Sequence, residues 1–92
     1  MNINQAKWDR IYSKKDSIGS PSEVLRENLN VLPSNGLALD LACGLGANSL
    51  FLESRGLTVH AWDISIIAIK KLKKRIESSK LKIEAQCLDI KA

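Results

Sequence analysis

Leu37-Ala38-Leu39-Asp40-Leu41-Ala42-Cys43-Gly44-Leu45-Gly46 runs directly into Ala47-Asn48-Ser49-Leu50-Phe51-Leu52-Glu53-Ser54-Arg55-Gly56. The apolar run Leu37–Leu41 has the length and character of a short strand buried on both faces. Ala42 to Gly46 is a tight glycine turn, and Ala47–Arg55 reads as a helix that Gly56 closes as a C-terminal cap. Strand, glycine turn and helix in immediate succession bring backbone close to whatever sits above the turn, because glycine has no Cβ in the way.

Working outward, Leu57–Trp62 reads as a second strand ending at Asp63. Ser65 can cap a helix reaching about Ser79, with Ile69, Leu72 and Ile76 as its inner stripe and the lysines outside. Leu81–Leu88 alternates as a third strand, followed by Asp89. Upstream, Asn4–Ser13 reads as a short helix with Trp8, Ile11 and Tyr12 on one face. Ser20-Pro21-Ser22-Glu23 starts another, with Ser20 as cap, Pro21 in the first turn and Glu23 completing a capping box; Pro33 and Gly36 stop it. The order is helix, helix, then β-α-β-α-β. Crossover helices imply parallel strands and right-handed connections, so the sheet order is 3-2-1, the first half of a Rossmann-type α/β fold.

Composition agrees with a soluble globular α/β chain. The 92 residues are 45% hydrophobic and 26% charged, too apolar for disorder, with 5 Gly and 2 Pro. No apolar run is long enough for a transmembrane helix, and no secretory signal is visible, so a cytoplasmic location without membrane association is expected. Cys43 and Cys87 show neither metal-ligand spacing nor a disulfide framework, so reduced thiols and no metal are expected. Residues 1–63 carry six Lys/Arg against seven Asp/Glu, whereas residues 64–92 carry eight against three. The basic excess centres on Lys70, Lys71, Lys73, Lys74 and Arg75. A solvated helix face explains it better than nucleic acid, since no aromatic residue is interleaved there for base stacking.

The acid after the turn narrows the chemistry. Asp63, seventeen residues beyond Gly46 at the carboxyl end of the second strand, can accept both ribose hydroxyls of a nucleoside. A dinucleotide would want a third glycine and a free helix N-terminus for its pyrophosphate, but that position is Ser49, and Asp40 lies just ahead of the turn. S-adenosylmethionine has no phosphate, and its ammonium suits an acid there. The residue types favour it over NAD.

Leu37–Leu52 resembles the first motif of class I S-adenosylmethionine-dependent methyltransferases. Leu-Asp-Leu-Ala-Cys-Gly-x-Gly is especially close to the small-molecule branch that includes tellurite-resistance and thiopurine-type enzymes. Val59-His60-Ala61-Trp62-Asp63-Ile64-Ser65 resembles the second motif, which implies Asp63 on the ribose and Ile64 against adenine. Cys87-Leu88-Asp89-Ile90 resembles the third, in which the acid receives the adenine amino group. Trp8-Asp9-Arg10-x-Tyr12 is similar to the start of that branch, where a helix lies over the cofactor. The first glycine of the common acid-x-Gly-x-Gly pattern is Ala42 here.

The resemblance implies a Rossmann-like three-layer sandwich of which only the first three parallel strands and the N-terminal helices are present. Residues 1–33 would form a helical cap and residues 34–92 the amino-terminal half of the S-adenosylmethionine-binding domain. The implied function is methyl transfer to a small-molecule acceptor, with cofactor residues Asp40, Ala42, Cys43, Gly44, Gly46, Asn48, Asp63, Ile64, Asp89, Ile90, Trp8 and Tyr12. No catalytic residue is assigned. Family members continue through a fourth strand, so a truncated chain is expected, with the edge of strand 1 open to self-association or to a partner.

Each residue also has a plain structural role open to it. Asp40 and Asp89 can serve turns, Asp63 can cap the helix after it, Gly44 and Gly46 can serve the turn alone, and Trp8 and Tyr12 can be packing residues. His60 reads as structural, Cys87 as core, and Cys43 lacks a neighbouring base. The competing functions are a non-catalytic or vestigial cofactor-binding protein, a nicotinamide-dependent dehydrogenase fragment and a basic nucleic-acid module.

Overall fold

The computed structural model describes residues 3–15, 18–23, 27 and 35–89. The elements are α1 (Ile3–Ser13), β1 (Leu37–Leu41), α2 (Ala47–Ser54), β2 (Thr58–Asp63), α3 (Ile66–Ser79) and β3 (Ile83–Cys87). The helix expected between Ser20 and Pro33 falls mostly outside the described residues, as does Ile90.

The three strands form one parallel sheet in the order β1-β2-β3, as the glycine and helix spacing predicts. Leu37 pairs with Thr58 and Leu41 with Trp62, while Val59 pairs with Ile83 and Asp63 with Cys87. Both crossovers step in the same direction across the sheet, and right-handed connections therefore lay α2 and α3 on the same face. There Leu52 of α2 and Leu72 of α3 pack with Val59, Ala61, Ile83 and Leu57 into one core cluster. The predicted inner stripe of α3 is found, with Ile69 and Leu72 fully buried and Ile76 packed at the core margin.

Helix ends follow the residue chemistry. Gly56 adopts φ 102°, and its N–H and that of Leu57 reach back to the carbonyls of Glu53 and Leu52. Ser65 caps α3, its Oγ accepting the Ala68 N–H at 3.1 Å.

The expectation that β1 is buried on both faces is corrected. Its burial alternates, with Leu37, Leu39 and Leu41 exposed by 71, 52 and 49%. Their face continues through His60 and Trp62 in β2 and Glu84 and Gln86 in β3 by register. His60 and Glu84 are cross-strand neighbours on that face, with Nε2 and Oε2 3.5 Å apart. Cys87 is half-buried rather than core, its Sγ 3.4 Å from the Ile64 carbonyl oxygen.

Candidate functional site

The turn after β1 is built from left-handed residues at alternating positions. Ala42, Gly44 and Gly46 have φ of 55°, 56° and 95°. The position where the common pattern has glycine is thus strained for Ala42. Gly46 lies under α3, and a Cβ on it would meet Leu72 Cδ1 at 2.6 Å. A Cβ on Gly44 would meet Tyr12 Oη at 2.7 Å, so α1 closes directly over the turn.

Three amides of the turn are already engaged. Cys43 N–H donates to the Trp62 carbonyl at 3.0 Å, Gly46 N–H to the Cys43 carbonyl at 3.0 Å, and Gly44 N–H to Asp63 Oδ2 at 2.8 Å. Asp63 is 5% exposed, and its Oδ1 accepts the Ser65 N–H at 2.9 Å. This carboxylate therefore bridges the glycine turn and the entry to α3. The contact at the entry to α3 is the capping role read from the chain, whereas the bond to the turn was not readable, because it joins residues 19 apart through a side chain.

Asp40 lies on the covered face of β1, where its Oδ2 accepts the Ser49 hydroxyl at 2.6 Å. Burial raises its pKa; the Ser49 hydrogen bonds oppose this, and the negative charge of Asp63 adds to it. The same surroundings, burial first and then Asp63 and Asp40, push the Cys43 thiol up to about 12. Cys43 is therefore a neutral thiol near neutral pH, and no nucleophile. The Tyr12 phenol is also raised, by burial and then by Asp63 and Cys43.

Two adjoining clefts flank Tyr12. The first, of about 330 Å³, lies at the carboxyl ends of the strands, where open α/β sheets hold their ligands. Its walls are Asn4, Trp8 and Tyr12 of α1, Ala42 of the turn, Asp63 and Ile64 after β2, and Leu88 and Asp89 after β3. The second, of about 620 Å³, is lined by Tyr12, Lys14, Lys15, Ile18, Gly19, Ser20 and Ser22 on one side, and by Ala42, Cys43, Gly44, Leu45, Ala47 and Asn48 on the other. Trp8 and Tyr12 stack at 5.8 Å between ring centroids.

Of the residues singled out from the chain, Trp8, Tyr12, Ala42, Asp63, Ile64 and Asp89 meet at the first cleft. Cys43, Gly44 and Asn48 join Tyr12 and Ala42 at the second. Asp40 and Gly46 line neither cleft. Asn48 Oδ1 accepts the Ser22 N–H at 2.8 Å, tying the segment after α1 to α2. Asn4 and Leu88 were missed. Asn4 could have been found, since it stands four residues before Trp8 and eight before Tyr12 on the same helix face. Among the described residues no cluster of His, Cys, Asp and Glu could hold a metal ion, and no helix is long and apolar enough to cross a membrane.

Solved structures share this fold. TehB from Haemophilus influenzae is 30% identical with a TM-score of 0.67, over 90% of this chain and 28% of that one. A structure from echinomycin biosynthesis, concerned with conversion of a disulfide bond into a thioacetal group, is 24% identical with a TM-score of 0.76, over 94% and 39%. A TehB-like SAM-dependent methyltransferase from Corynebacterium glutamicum is 20% identical with a TM-score of 0.62, over 91% and 42%. The chain thus spans less than half the length of each. No curated protein matches the sequence significantly. The family described as tellurite resistance protein TehB matches over residues 3–92, and the chain belongs to the TehB family.

Proposed function

We propose that the protein binds S-adenosylmethionine across the two adjoining clefts, its nucleoside in the first, and acts in methyl transfer to a small-molecule acceptor. The observation that carries this reading is the state of the glycine turn. The amides of Cys43, Gly44 and Gly46 are spent on internal partners, and two carboxylates, Asp40 and Asp63, lie beside it. A pyrophosphate would meet spent amides at Cys43, Gly44 and Gly46 and an unfavourable potential beside them. A ligand with an ammonium and a sulfonium fits those charges, so the NAD reading is disfavoured.

In this reading Asp63 accepts the ribose hydroxyls with the lone pairs left over from its two backbone bonds. Ile64 packs on adenine, and Asp89 with Ile90 receives its amino group. Ala42, Cys43, Gly44, Gly46 and Asn48 shape the backbone approach to the methionine end. Asp40 favours the ammonium electrostatically, and Trp8 and Tyr12 form the wall that excludes water. The bound cofactor supplies an already activated methyl group, so the chain's task is alignment and exclusion of water. Residues 1–33 then serve as the helical cap and residues 34–92 as the amino-terminal half of the binding domain. The free thiols of Cys43 and Cys87 support a reducing, cytoplasmic setting.

A second reading is cofactor binding without turnover, with the open β1 edge as the place for a further wall. The first cleft has walls from α1, the turn and the ends of β2 and β3, but none beyond β1 among the described residues. Self-association or a partner beside β1 would complete it.

Calorimetric titration with S-adenosylmethionine and S-adenosylhomocysteine tests the reading, with Asp89→Ala and Asp63→Ala as controls and circular dichroism to confirm folding. Saturable binding weakened in both variants is expected. A folded chain that binds neither ligand, or that binds NADH instead, overturns it.

A further inference from the structure

Helix α1 has two working faces. Asn4, Trp8 and Tyr12 line the first cleft. Asp9, one residue round the helix from Trp8, is turned to α3. Its Oδ1 accepts the Ser65 hydroxyl at 2.5 Å and the Ile67 N–H at 3.3 Å. Ser65 is fully buried, and the oxygen that donates to Asp9 also accepts the Ala68 N–H, so the carboxylate extends the cap of α3. At the far end the arrangement is reversed. Lys71 of α3 donates from Nζ to the carbonyls of Tyr12 at 2.7 Å and Lys15 at 2.8 Å. An acid of α1 thus satisfies the amino end of α3, and a base of α3 satisfies the carboxyl end of α1. Each charge sits at the helix end whose dipole it complements. On its outer side Lys7, Trp8 and Arg10 are exposed.

We propose that this reciprocal fastening determines how long the cleft retains its nucleoside ligand, with Asp9 and Lys71 as positioning residues. The proposal rests on the cofactor reading above. Neither residue lines the first cleft. They act through Trp8 and Tyr12, whose wall stands only while α1 is pinned at both ends. Loosening either end lets the wall open, which speeds ligand escape more than it slows entry.

The test uses the full chain carrying Trp62→Phe, which leaves Trp8 as the sole tryptophan. Three quantities are measured: acrylamide quenching of Trp8 without ligand, stopped-flow dissociation of S-adenosylhomocysteine followed by Trp8 emission, and the urea midpoint. Asp9→Leu and Lys71→Met should raise quenching and speed dissociation by about tenfold, the scale of a lost charge-assisted hydrogen bond. Asp9→Asn keeps an oxygen that can accept both bonds and should stay within about threefold of the parent, a rescue that loss of bulk packing would not show. If Asp9→Leu does not fold, Lys71→Met carries the test. Dissociation at the parent rate in the folded variants, or equal acceleration in Asp9→Asn and Asp9→Leu, overturns the proposal and leaves the cofactor reading standing. A folded parent that binds no S-adenosylhomocysteine overturns both.

Discussion

Replacing Gly46 by alanine strikes the point where the turn, α2 and α3 meet. Two costs are separable. The backbone sits at φ 95°, and a left-handed conformation costs an L-residue roughly 1–2 kcal/mol. The new Cβ would lie 2.6 Å from Leu72 Cδ1, 3.2 Å from Cδ2 and 3.4 Å from Cγ. Leu72 is fully buried and cannot swing aside into solvent, so the overlap is of the overpacking kind, about 1–3 kcal/mol. The total is roughly 2–5 kcal/mol, against about 5–14 kcal/mol expected for a chain of 92 residues. Urea unfolding should therefore show a midpoint lowered by about 1–3 M at an unchanged slope. The decisive comparison is the same substitution in a Leu72→Val background. There the δ-carbons are gone and only the backbone cost of roughly 1–2 kcal/mol should remain. Equal destabilisation by Gly46→Ala in both backgrounds would refute the steric argument. A loss of under about 1 kcal/mol in the parent chain would refute the backbone argument as well.

Three further outcomes are expected. Asp40 has a raised folded pKa, so the folded chain holds its proton more tightly than the unfolded chain. Stability therefore falls as pH rises from near 3.8 through the folded value, and Asp40→Asn should flatten that fall in urea midpoints taken between about pH 4 and pH 7. A steeper fall in the variant would contradict the sign. Cys43, with its thiol pushed up to about 12, should resist iodoacetamide at about pH 8 in the native chain and react once unfolded, as followed by peptide mass mapping; rapid native labelling at that position would show that the burial is wrong. Leu39→Lys places a charge on the 52%-exposed leucine of β1 and should reduce any concentration-dependent self-association in sedimentation, at a cost in stability of about 0.5 kcal/mol or less; undiminished association would move the interface elsewhere.

Local signals in the chain were sufficient where the structure depends on neighbours in sequence. Gly56 and Ser65 stop and start helices through their own backbone and side-chain chemistry, and the β-α-β-α-β order with right-handed crossovers leads directly to the 3-2-1 sheet. The stripe Ile69, Leu72 and Ile76 was legible for the same reason. What stayed hidden depends on distance or on direction. Asp9 reaches Ser65 across 56 residues, and Asn48 reaches Ser22 across 26, by bonds with no periodic signature. Asp63 reads as a ligand residue or as the cap of the helix after it, yet its second oxygen holds the Gly44 amide across 19 residues. The exposure of Leu37, Leu39 and Leu41 was missed because five apolar residues in a row show that a strand is greasy, not which of its faces a helix will reach.

The one-way progress of the sheet has a consequence for how those leucines can be hidden. A strand joined beyond β3 would repeat the existing step, and its crossover would fall on the face that α2 and α3 already occupy. A strand joined beyond β1 reverses the step, and the same right-handedness then throws its crossover across Leu37, Leu39 and Leu41. Growth on the β1 side thus does two jobs at once, closing the open ladder and roofing the bare face. A strand docked there without a crossover does only the first and leaves the leucines wet.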